Sequence, residues 1–241
     1  MIAIEHVTKA FASVRAVDDL SLEIPDGELF CFLGPNGAGK TTTIKMMCGL
    51  LRPTAGTIRI DGFDTRADMP EIRRRIGYIP DSPFLYDRLT SSEFFAFIGD
   101  LYRMPPDRVR AERAEAFALF GLEAHADALI RDLSHGLRQR LTYAATFLHR
   151  PRILFVDEPF IGLDPHSIRL IKGLLKQKTR EGATVFMTTH ILALIEDLAD
   201  RIGILHHGRL AALGTLDDLR RQTNTDGRLE DIFLGLTEAG A

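Results

Sequence analysis

A run of nine residues, from Gly34 to Thr42, has the composition and spacing of a loop that binds phosphate groups. Its sequence, Gly-Pro-Asn-Gly-Ala-Gly-Lys-Thr-Thr, fits the pattern G-x-x-x-x-G-K-[ST]. Glycine lets consecutive backbone N–H groups point at a polyphosphate, Lys40 adds a mobile positive charge, and the Thr41 hydroxyl can bind the magnesium ion that accompanies a nucleotide. The residues expected to contact the nucleotide are Gly34, Asn36, Gly37, Ala38, Gly39, Lys40, Thr41 and Thr42.

The segments on either side of this loop support the interpretation. Leu29 to Leu33 is a short apolar run that predicts a buried strand, and residues 41–51 predict a helix. A helix that begins directly after the loop adds the positive end of its dipole to the phosphate site. A glycine-rich turn with a chance Gly-Lys-Thr is the alternative, and the flanking strand and helix argue against it. The sequence therefore predicts that the chain binds a nucleoside triphosphate.

Two adjacent carboxylates follow a second apolar run. Ile153 to Val156 predicts a buried strand, and Asp157 and Glu158 stand at its C-terminal end, where ligands bind in open α/β sheets. We expect Asp157 to hold magnesium, directly or through water. Glu158 could orient or deprotonate a water molecule that attacks the γ-phosphate. The alternative is that Asp-Glu-Pro simply ends the strand.

A third candidate is the start of an amphipathic helix at residues 133–140. Ser134 is a suitable N-cap, so a plain capped helix is one interpretation. A serine hydroxyl, the backbone N–H of Gly136 and a helix N-terminus also form an end that binds phosphate without a cationic side chain.

Composition limits the class of protein. The chain has 241 residues, 45% of them hydrophobic and 26% charged, and a net charge of −3. It therefore lacks the excess of positive charge that would suggest nucleic acid as a partner. Its two cysteines, Cys31 and Cys48, stand among apolar neighbours, which favours a reduced, cytosolic location over a disulfide framework. No signal peptide and no apolar run of membrane-spanning length are found, so a partner would have to supply any membrane span.

The order of predicted elements indicates an α/β protein. Short strands are expected around a turn near Ser13, and at residues 57–60 before the turn Asp61-Gly62. Helices are expected throughout residues 83–150. The α/β pattern resumes with the 153–156 strand, a helix that starts at Asp164-Pro165, a strand at 184–187, a helix at about 192–198 and a hairpin around His207-Gly208.

Taken together, these segments resemble the ATP-binding cassette (ABC) ATPases over essentially the whole chain. Residues 34–42 are similar to the family's phosphate loop, 133–137 (Leu-Ser-His-Gly-Leu) to its Leu-Ser-Gly-Gly-Gln signature, 153–159 to its Asp-Glu-Pro strand and 188–190 to its switch-histidine segment. The resemblance implies one domain, 1–241, with a P-loop NTPase (RecA-like) core that carries an antiparallel β subdomain and an inserted α-helical subdomain. The core would occupy about 1–82 and 151–215, the helices about 83–150 and a C-terminal tail about 216–241.

The resemblance also implies that two cassettes pack head to tail, as a homodimer or a heterodimer. Ser134 and Gly136 of one chain would then contact the γ-phosphate that the other chain holds. Asp164 would lie near the dimer seam, with a helix N-cap as its alternative role. His190 would contact the γ-phosphate, with a structural histidine as the alternative. Phe11 would stack on adenine, with core packing as the alternative.

Two departures from the family pattern affect the site. Asp81 stands where relatives carry a glutamine that touches magnesium and water and relays the nucleotide state to the membrane partner. The shorter carboxylate of Asp81 allows a water-bridged contact with the metal. His135 and Leu137 replace a glycine and the glutamine of the signature, while Ser134 and Gly136 remain.

The function implied by the resemblance is ATP hydrolysis, with ATP and Mg²⁺ bound, that drives a separate integral-membrane transporter subunit. Ala-Val-Asp-Asp-Leu at 16–20 is similar to export-type cassettes of the drug-resistance kind, and Tyr-Ile-Pro-Asp-Ser-Pro at 78–83 is similar to bacterial Ecs-type cassettes. The chain would be cytoplasmic and bound to the inner face of the membrane through its partner. The alternatives are a soluble regulatory ABC ATPase that acts on ribosomes or DNA, and a P-loop kinase.

Overall fold

A computed structural model describes residues 1–223 and 227–238 of the chain. The strands are β1 (Ile2–Phe11), β2 (Val14–Ile24), β3 (Leu29–Leu33), β4 (Ala55–Ile60), β5 (Phe63–Asp64), β6 (Ile76–Ile79), β7 (Ile153–Asp157), β8 (Thr184–Thr189), β9 (Arg201–His206) and β10 (Arg209–Gly214). The helices are α1 (Lys40–Met47), α2 (Met69–Arg73), α3 (Ser91–Leu101), α4 (Pro106–Phe120), α5 (His135–Phe147), α6 (Pro165–Arg180), α7 (Leu216–Thr223) and α8 (Leu229–Glu238). The predicted C-terminal tail also contains residues 224–226 and 239–241, which lie outside the described residues.

The strands form two sheets. One is antiparallel, with the order β2-β1-β4-β5. The other has the order β10-β9-β3-β8-β7-β6, in which β9, β3, β8, β7 and β6 are parallel and β10 is an antiparallel edge strand. The hairpin predicted around Ser13 is β1–β2, and the one around His207-Gly208 is β9–β10. The strands predicted at 29–33 and 153–156 are β3 and β7.

The parallel sheet is buried on both faces, which explains the unbroken apolar runs of its central strands. Every residue of β3, β7 and β8 is buried. Because side chains alternate between the faces of a strand, Leu29, Cys31 and Leu33 enter one core and Phe30 and Phe32 the other. The first core is shared with α3, α4, α5 and α6, and the second with α1 and the antiparallel sheet. The sheet is therefore held rigidly between two apolar layers.

Helices α3, α4 and α5 stand together between β6 and β7 in the chain and pack on one another. Thr90 begins α3 with a capping box, because its hydroxyl accepts the N–H of Glu93 and the Glu93 carboxylate accepts the N–H of Thr90. Gly121 ends α4 in the left-handed conformation that glycine adopts easily. Ser134 caps α5 as predicted.

Two helix predictions are wrong in extent. The helix expected over 41–51 ends at Met47, because Gly49 takes the left-handed conformation with φ 69°. The helix expected at about 192–198 is only a 3₁₀ turn at Leu192–Leu194. That turn has no side-chain cap, and a segment this short forms a stable α-helix only when caps or packing favour it.

The two cysteines, Cys31 and Cys48, are free and buried, so the expectation that they form no disulfide is confirmed. Burial raises the pKa of both thiols well above its ordinary value, which keeps them uncharged. Among residues 1–223 and 227–238, no helix has the length and apolar character needed to cross a membrane.

His149 joins the helical block to the parallel sheet. Its ring stacks on Tyr102 with 3.8 Å between ring centroids, and its Nε2 lies 2.9 Å from the carbonyl oxygen of Ile76, so Nε2–H is the donor. Nδ1 is buried and has no hydrogen-bond partner in the described structure. Burial lowers the pKa of His149, and the bond to Ile76 offsets part of that effect. The folded protein therefore holds His149 neutral.

We predict that His149 makes the fold less stable in mild acid. Because its folded pKa lies below the unfolded value, the unfolded chain takes up the extra proton, and the free energy of unfolding falls as pH drops through about 6.5. Urea denaturation at pH 7.5 and pH 5.5 should show a smaller pH dependence for His149→Gln than for the wild type. His166→Gln, at an exposed position, is the control and should keep the wild-type dependence. Equal dependence in both variants would contradict the assignment.

Candidate nucleotide-binding site

The predicted site residues gather at one edge of the parallel sheet. Loop 34–39 follows β3, Asp81 lies just beyond β6, Glu158 follows β7, and His190 follows β8. Because these four strands are parallel, their C-terminal ends meet at the same edge. Segments up to 156 residues apart in the chain, from Gly34 to His190, therefore reach one place, which is where ligands bind in sheets of this kind.

The backbone of the phosphate loop requires glycine at two positions. At Gly34 a Cβ atom would lie 2.4 Å from the carbonyl oxygen of Leu205, so only glycine lets the loop pass β9 this closely. Gly39 has φ 110° and begins α1, and a Cβ there would lie 2.3 Å from the carbonyl oxygen of Ala16. The loop is tied down by two backbone bonds, from Ala38 to Pro35 and from Gly208 to Ala38. The cradle is thus built by neighbouring strands before any ligand binds.

Lys40 points back over this loop. Its ammonium donates to the carbonyl oxygens of Gly34 at 2.7 Å and Pro35 at 3.3 Å, and it lies 3.5 Å from the carboxylate of Glu158. The side chain is almost fully buried. A buried ammonium needs such partners, and an incoming phosphate could replace the carbonyl contacts with stronger, charge-assisted ones.

The carboxylate of Asp157 is fully buried at the end of β7. Its Oδ1 accepts hydrogen bonds from the hydroxyls of Thr41, at 3.2 Å, and Thr188. Burial raises the pKa of Asp157, these two hydrogen bonds oppose that effect, and the nearby charges of Asp81 and Glu158 add to it. Oδ2 has no hydrogen-bond partner among the described residues. A carboxylate oxygen left free beside the Thr41 hydroxyl fits the oxygen ligands that magnesium prefers.

Glu158 and His190 form a pair directly beside Lys40. One carboxylate oxygen of Glu158 lies 2.9 Å from Nδ1 of His190 and accepts the backbone N–H of His190 at 3.3 Å. Glu158 has φ 49°, a conformation that non-glycine residues seldom adopt and that marks functional sites. Its N–H is held by the carbonyl and the hydroxyl of Thr188. The His190 side chain is partly exposed, and its known contact is the pair with Glu158.

Thr188 is the functional neighbour that sequence reasoning missed. The sequence places it only in the segment before His190, yet its buried hydroxyl donates to Asp157 and accepts from the N–H of Glu158. The signal available in the sequence was a pair of threonines at the end of an otherwise apolar strand. Such hydroxyls, when buried, need hydrogen-bond partners.

Two predicted contacts lie further from this centre. The Asp81 carboxylate is exposed and accepts the N–H of Ser82 at 2.7 Å, and it is close enough to Asp157 to raise the pKa of that residue. Phe11, at the tip of the β1–β2 hairpin, is 44% exposed, so the core-packing alternative is wrong. The ammonium of Lys9 lies 4.9 Å from the centre of the Phe11 ring.

The signature residues lie at the start of α5. Ser134 accepts the N–H of Leu137 as N-cap of α5, and a Cβ on Gly136 would meet open space. In the described part of the chain, no hydrogen bond or ion pair connects either residue with residues 34–42. Asp164 is the N-cap of α6, and hydrogen bonds led by the Ser167 hydroxyl lower the pKa of Asp164 to about 2.

Comparison with known proteins identifies this arrangement. Residues 17–161 match the family model described as ABC transporter. The chain belongs to the ABC transporter family. It is 34% identical over 239 residues to the linearmycin resistance ATP-binding protein LnrL of Bacillus subtilis, covering 99% of this chain and 77% of LnrL. It is 39% identical over 214 residues to the daunorubicin/doxorubicin resistance ATP-binding protein DrrA of Streptomyces peucetius, covering 89% of this chain and 65% of DrrA.

Solved structures agree with the fold. An ATP-binding subunit of an ABC transporter superposes with a TM-score of 0.92 at 32% identity, covering 98% of this chain and 99% of that one. A dimer of the ATP-binding cassette MJ0796 in a post-hydrolysis state, bound to ADP and Pi, superposes with a TM-score of 0.82 at 27% identity, covering 90% and 99%. The predicted P-loop NTPase fold is confirmed. This ABC cassette is therefore an ATP-binding ATPase of a transporter, and the regulatory alternative finds no support in these relatives.

We predict that Thr188→Val lowers the free energy of unfolding by about 1–3 kcal/mol, since it removes a donor from a buried carboxylate. The hydrogen bond favours the ionised form of Asp157, so its loss raises that pKa further, and the loss of stability should be larger at pH 8 than at pH 5. Urea denaturation at both pH values tests this. Thr189→Val is the matched control, because its buried hydroxyl accepts an N–H from Ile191 instead. A loss that does not depend on pH would contradict the prediction.

Proposed function

We propose that Glu158 is the general base of ATP hydrolysis in this cassette. The observation that carries the proposal is the position of the Glu158 carboxylate, which lies 3.5 Å from the ammonium of Lys40 and 2.9 Å from Nδ1 of His190. Lys40 and the loop N–H groups hold the β- and γ-phosphates, and Glu158 takes a proton from the attacking water. His190 orients the Glu158 carboxylate and contacts the γ-phosphate. Most of the catalysis comes from positioning and charge stabilisation.

Magnesium fits the same centre. Thr41, through its hydroxyl, and Asp157, through the oxygen that has no partner, are the groups that would hold it, with Asp81 in a water-bridged role. When bound, the ion neutralises phosphate charge that the protein alone leaves uncompensated. Asp157 also accepts a hydrogen bond from the Thr41 hydroxyl at the start of α1, and this bond holds the end of the phosphate loop next to the end of β7.

A second cassette completes the site. The Ser134 hydroxyl bonds only within the first turn of α5, and a Cβ on Gly136 would meet open space, so this helix N-terminus suits a phosphate held by another subunit. Phe11, exposed at a hairpin tip, supports stacking on adenine, and Asp164 lies at the seam while it caps α6. Both a homodimer and a heterodimer satisfy this arrangement.

The membrane partner docks on the segment after Asp81. Phe84 is 84% exposed and Tyr86 is 57% exposed, and the Tyr86 ring packs edge-on against Phe97 of α3 at 5.4 Å. Large apolar side chains exposed together mark interaction surfaces. Because Phe84 and Tyr86 lie between Asp81 and the helical block in the chain, they connect the nucleotide site with the partner. Since the named relatives are linearmycin and daunorubicin/doxorubicin resistance ATP-binding proteins, export of a substrate chosen by the membrane subunit is the proposed outcome, with the cassette on the cytoplasmic face.

We predict that Glu158→Gln keeps nucleotide affinity within about threefold while turnover falls at least about a hundredfold, the usual loss on removing a general base. Calorimetry measures the affinity and phosphate release measures the turnover. Lys40→Ala is the comparison, since it should weaken nucleotide binding itself. Near-normal turnover in Glu158→Gln would remove Glu158 from its role, and unchanged affinity in Lys40→Ala would contradict the loop assignment.

We also predict that Phe84→Ser with Tyr86→Ser separates ATP hydrolysis from partner binding. The isolated chain should keep its ATPase rate within about twofold, because neither side chain contacts the phosphate loop. A tagged chain should no longer capture a multi-span membrane protein from detergent-solubilised membranes of its host, as mass spectrometry would detect. Leu234→Ser, at a half-exposed position on α8, is the control. Capture of the same membrane protein by the double variant would exclude this surface.

A further inference from the structure

The turn of the β9–β10 hairpin, at residues 207–208, lies between strand β2 and the phosphate loop. The carbonyl oxygen of Gly208 accepts the backbone N–H of Asp18 at 2.8 Å, and the N–H of Gly208 donates to the carbonyl oxygen of Ala38 at 3.1 Å. Gly208 has φ 79°, and a Cβ atom there would lie 3.0 Å from the carbonyl oxygen of Ala16. The turn therefore contacts β2 on one side and the phosphate loop on the other.

An ion pair holds the same turn against β2. Nε of Arg209 donates to Oδ2 of Asp18 at 2.8 Å, and a terminal nitrogen of Arg209 lies 2.6 Å from the same oxygen. Oδ1 of Asp18 accepts a hydrogen bond from Arg15 at 2.8 Å. The Asp18 side chain is only 14% exposed, so solvent screens this pair less than it screens a pair on the open surface. We call Asp18, Gly208 and Arg209 the turn bracket.

The hydrogen bonds from Arg15 and Arg209 hold the pKa of Asp18 below its usual range. The carboxylate is therefore ionised at neutral pH, and its bonds to the two guanidinium groups are charge-assisted. None of the roles proposed above uses Asp18 or Arg209.

The two sheets hold different parts of the proposed nucleotide site. Phe11 pairs with Val14 at the tip of the β1–β2 hairpin, which belongs to the antiparallel sheet. The phosphate loop follows β3, which belongs to the parallel sheet. One nucleotide can contact both only if the two sheets keep a fixed distance at this end of the molecule.

The turn bracket lies where the two sheets meet beside the loop. Asp18 is on the same strand as Val14, about 13 Å further along at the usual rise per residue. The neighbouring Ala16 is so close to the loop that a Cβ atom on Gly39 would lie 2.3 Å from its carbonyl oxygen. The bracket adds hydrogen bonds to this close packing, so it fixes the direction of β2 relative to the loop as well as the distance.

We propose that Asp18 and Arg209 are positioning residues that set the distance between the Phe11 ring and the phosphate loop. The inference rests on the proposed stacking of adenine on Phe11. Without the ion pair, the β1–β2 hairpin moves relative to the loop, so the contact with the base is lost while the contacts with the phosphates remain. An ion pair that only stabilised the fold would not distinguish ligands with a base from ligands without one.

The experiment compares two ligands on the full chain in the presence of Mg²⁺. Calorimetry measures the affinity for ATP and for inorganic tripolyphosphate, which carries three phosphates and no base. The variants are Asp18→Asn, which removes the charge at constant size, and Arg209→Gln. Asp19→Asn is the matched control, because Asp19 is the next carboxylate in the chain, is exposed, and pairs with His6 instead. Asp19 has φ 54°, which asparagine tolerates.

Asp18→Asn and Arg209→Gln should each weaken ATP binding by about three- to thirtyfold, within the loss expected when a base no longer stacks on an aromatic ring. The affinity for tripolyphosphate should change by less than about twofold, because the loop N–H groups and Lys40 are still in place. Asp19→Asn should keep both affinities. Unchanged affinity for ATP would overturn the proposal, and so would an equal loss of affinity for the two ligands.

Phe11→Ala tests the stacking itself. It should weaken ATP binding and spare tripolyphosphate, and Asp18→Asn added to it should cost less than about twofold more, because the pair acts only through the base. Fully additive losses would overturn the proposal.

The single variants also separate the two proposals. If Phe11→Ala leaves ATP affinity unchanged, the stacking is wrong and the positioning role falls with it. If Phe11→Ala weakens ATP binding and Asp18→Asn does not, only the positioning role is overturned.

Discussion

The buried carboxylate of Asp157 is the interaction on which the arrangement of the site depends. A charge in a dry environment is costly unless it receives hydrogen bonds, and Thr41 and Thr188 supply them from two other segments. The same two threonines belong to the start of α1 and the end of β8, so the carboxylate holds the phosphate loop, β7 and β8 together. Its second oxygen has no hydrogen-bond partner among the described residues, which supports the proposal that it binds a cation.

The parallel sheet makes this gathering possible. Each crossover returns the chain to the same edge of the sheet. The functional residues that follow the parallel strands therefore lie side by side along that edge, at the ends of β3, β6, β7 and β8. Both faces of the sheet are covered by apolar cores, which leaves little freedom for the strand ends to separate. The 3.5 Å spacing of Lys40 and Glu158 is therefore a property of the core as much as of the loops.

Sequence patterns predict those features of the fold and site that depend on residues close together in the chain. Unbroken apolar runs located β3 and β7, Gly-Lys-Thr located the phosphate loop, and Asp164 before proline located the cap of α6. Sequence patterns fail where contacts between residues far apart in the chain determine the local structure. The apolar residues of 192–198 follow helical spacing, yet they serve as packing for α8, and the N–H of Leu229 binds the carboxylate of Glu196 there. The role of Thr188 was missed because its partner, Asp157, lies 31 residues away.

The remaining part of the proposed site, around Ser134 and Gly136, follows from the capacity of this helix N-terminus to bind a further anion. Glu158 is already in contact with Lys40 and His190, and Asp157 is hydrogen-bonded to Thr41 and Thr188, so this half is organised by the fold alone. Ser134 satisfies only the first turn of its own helix, and Gly136 faces open space. A helix N-terminus with free N–H groups attracts anions, and Lys40 lies buried in the other half of the site. Both groups attract the anionic charge of a triphosphate, which supports the proposal that a second chain brings the two halves together around one nucleotide.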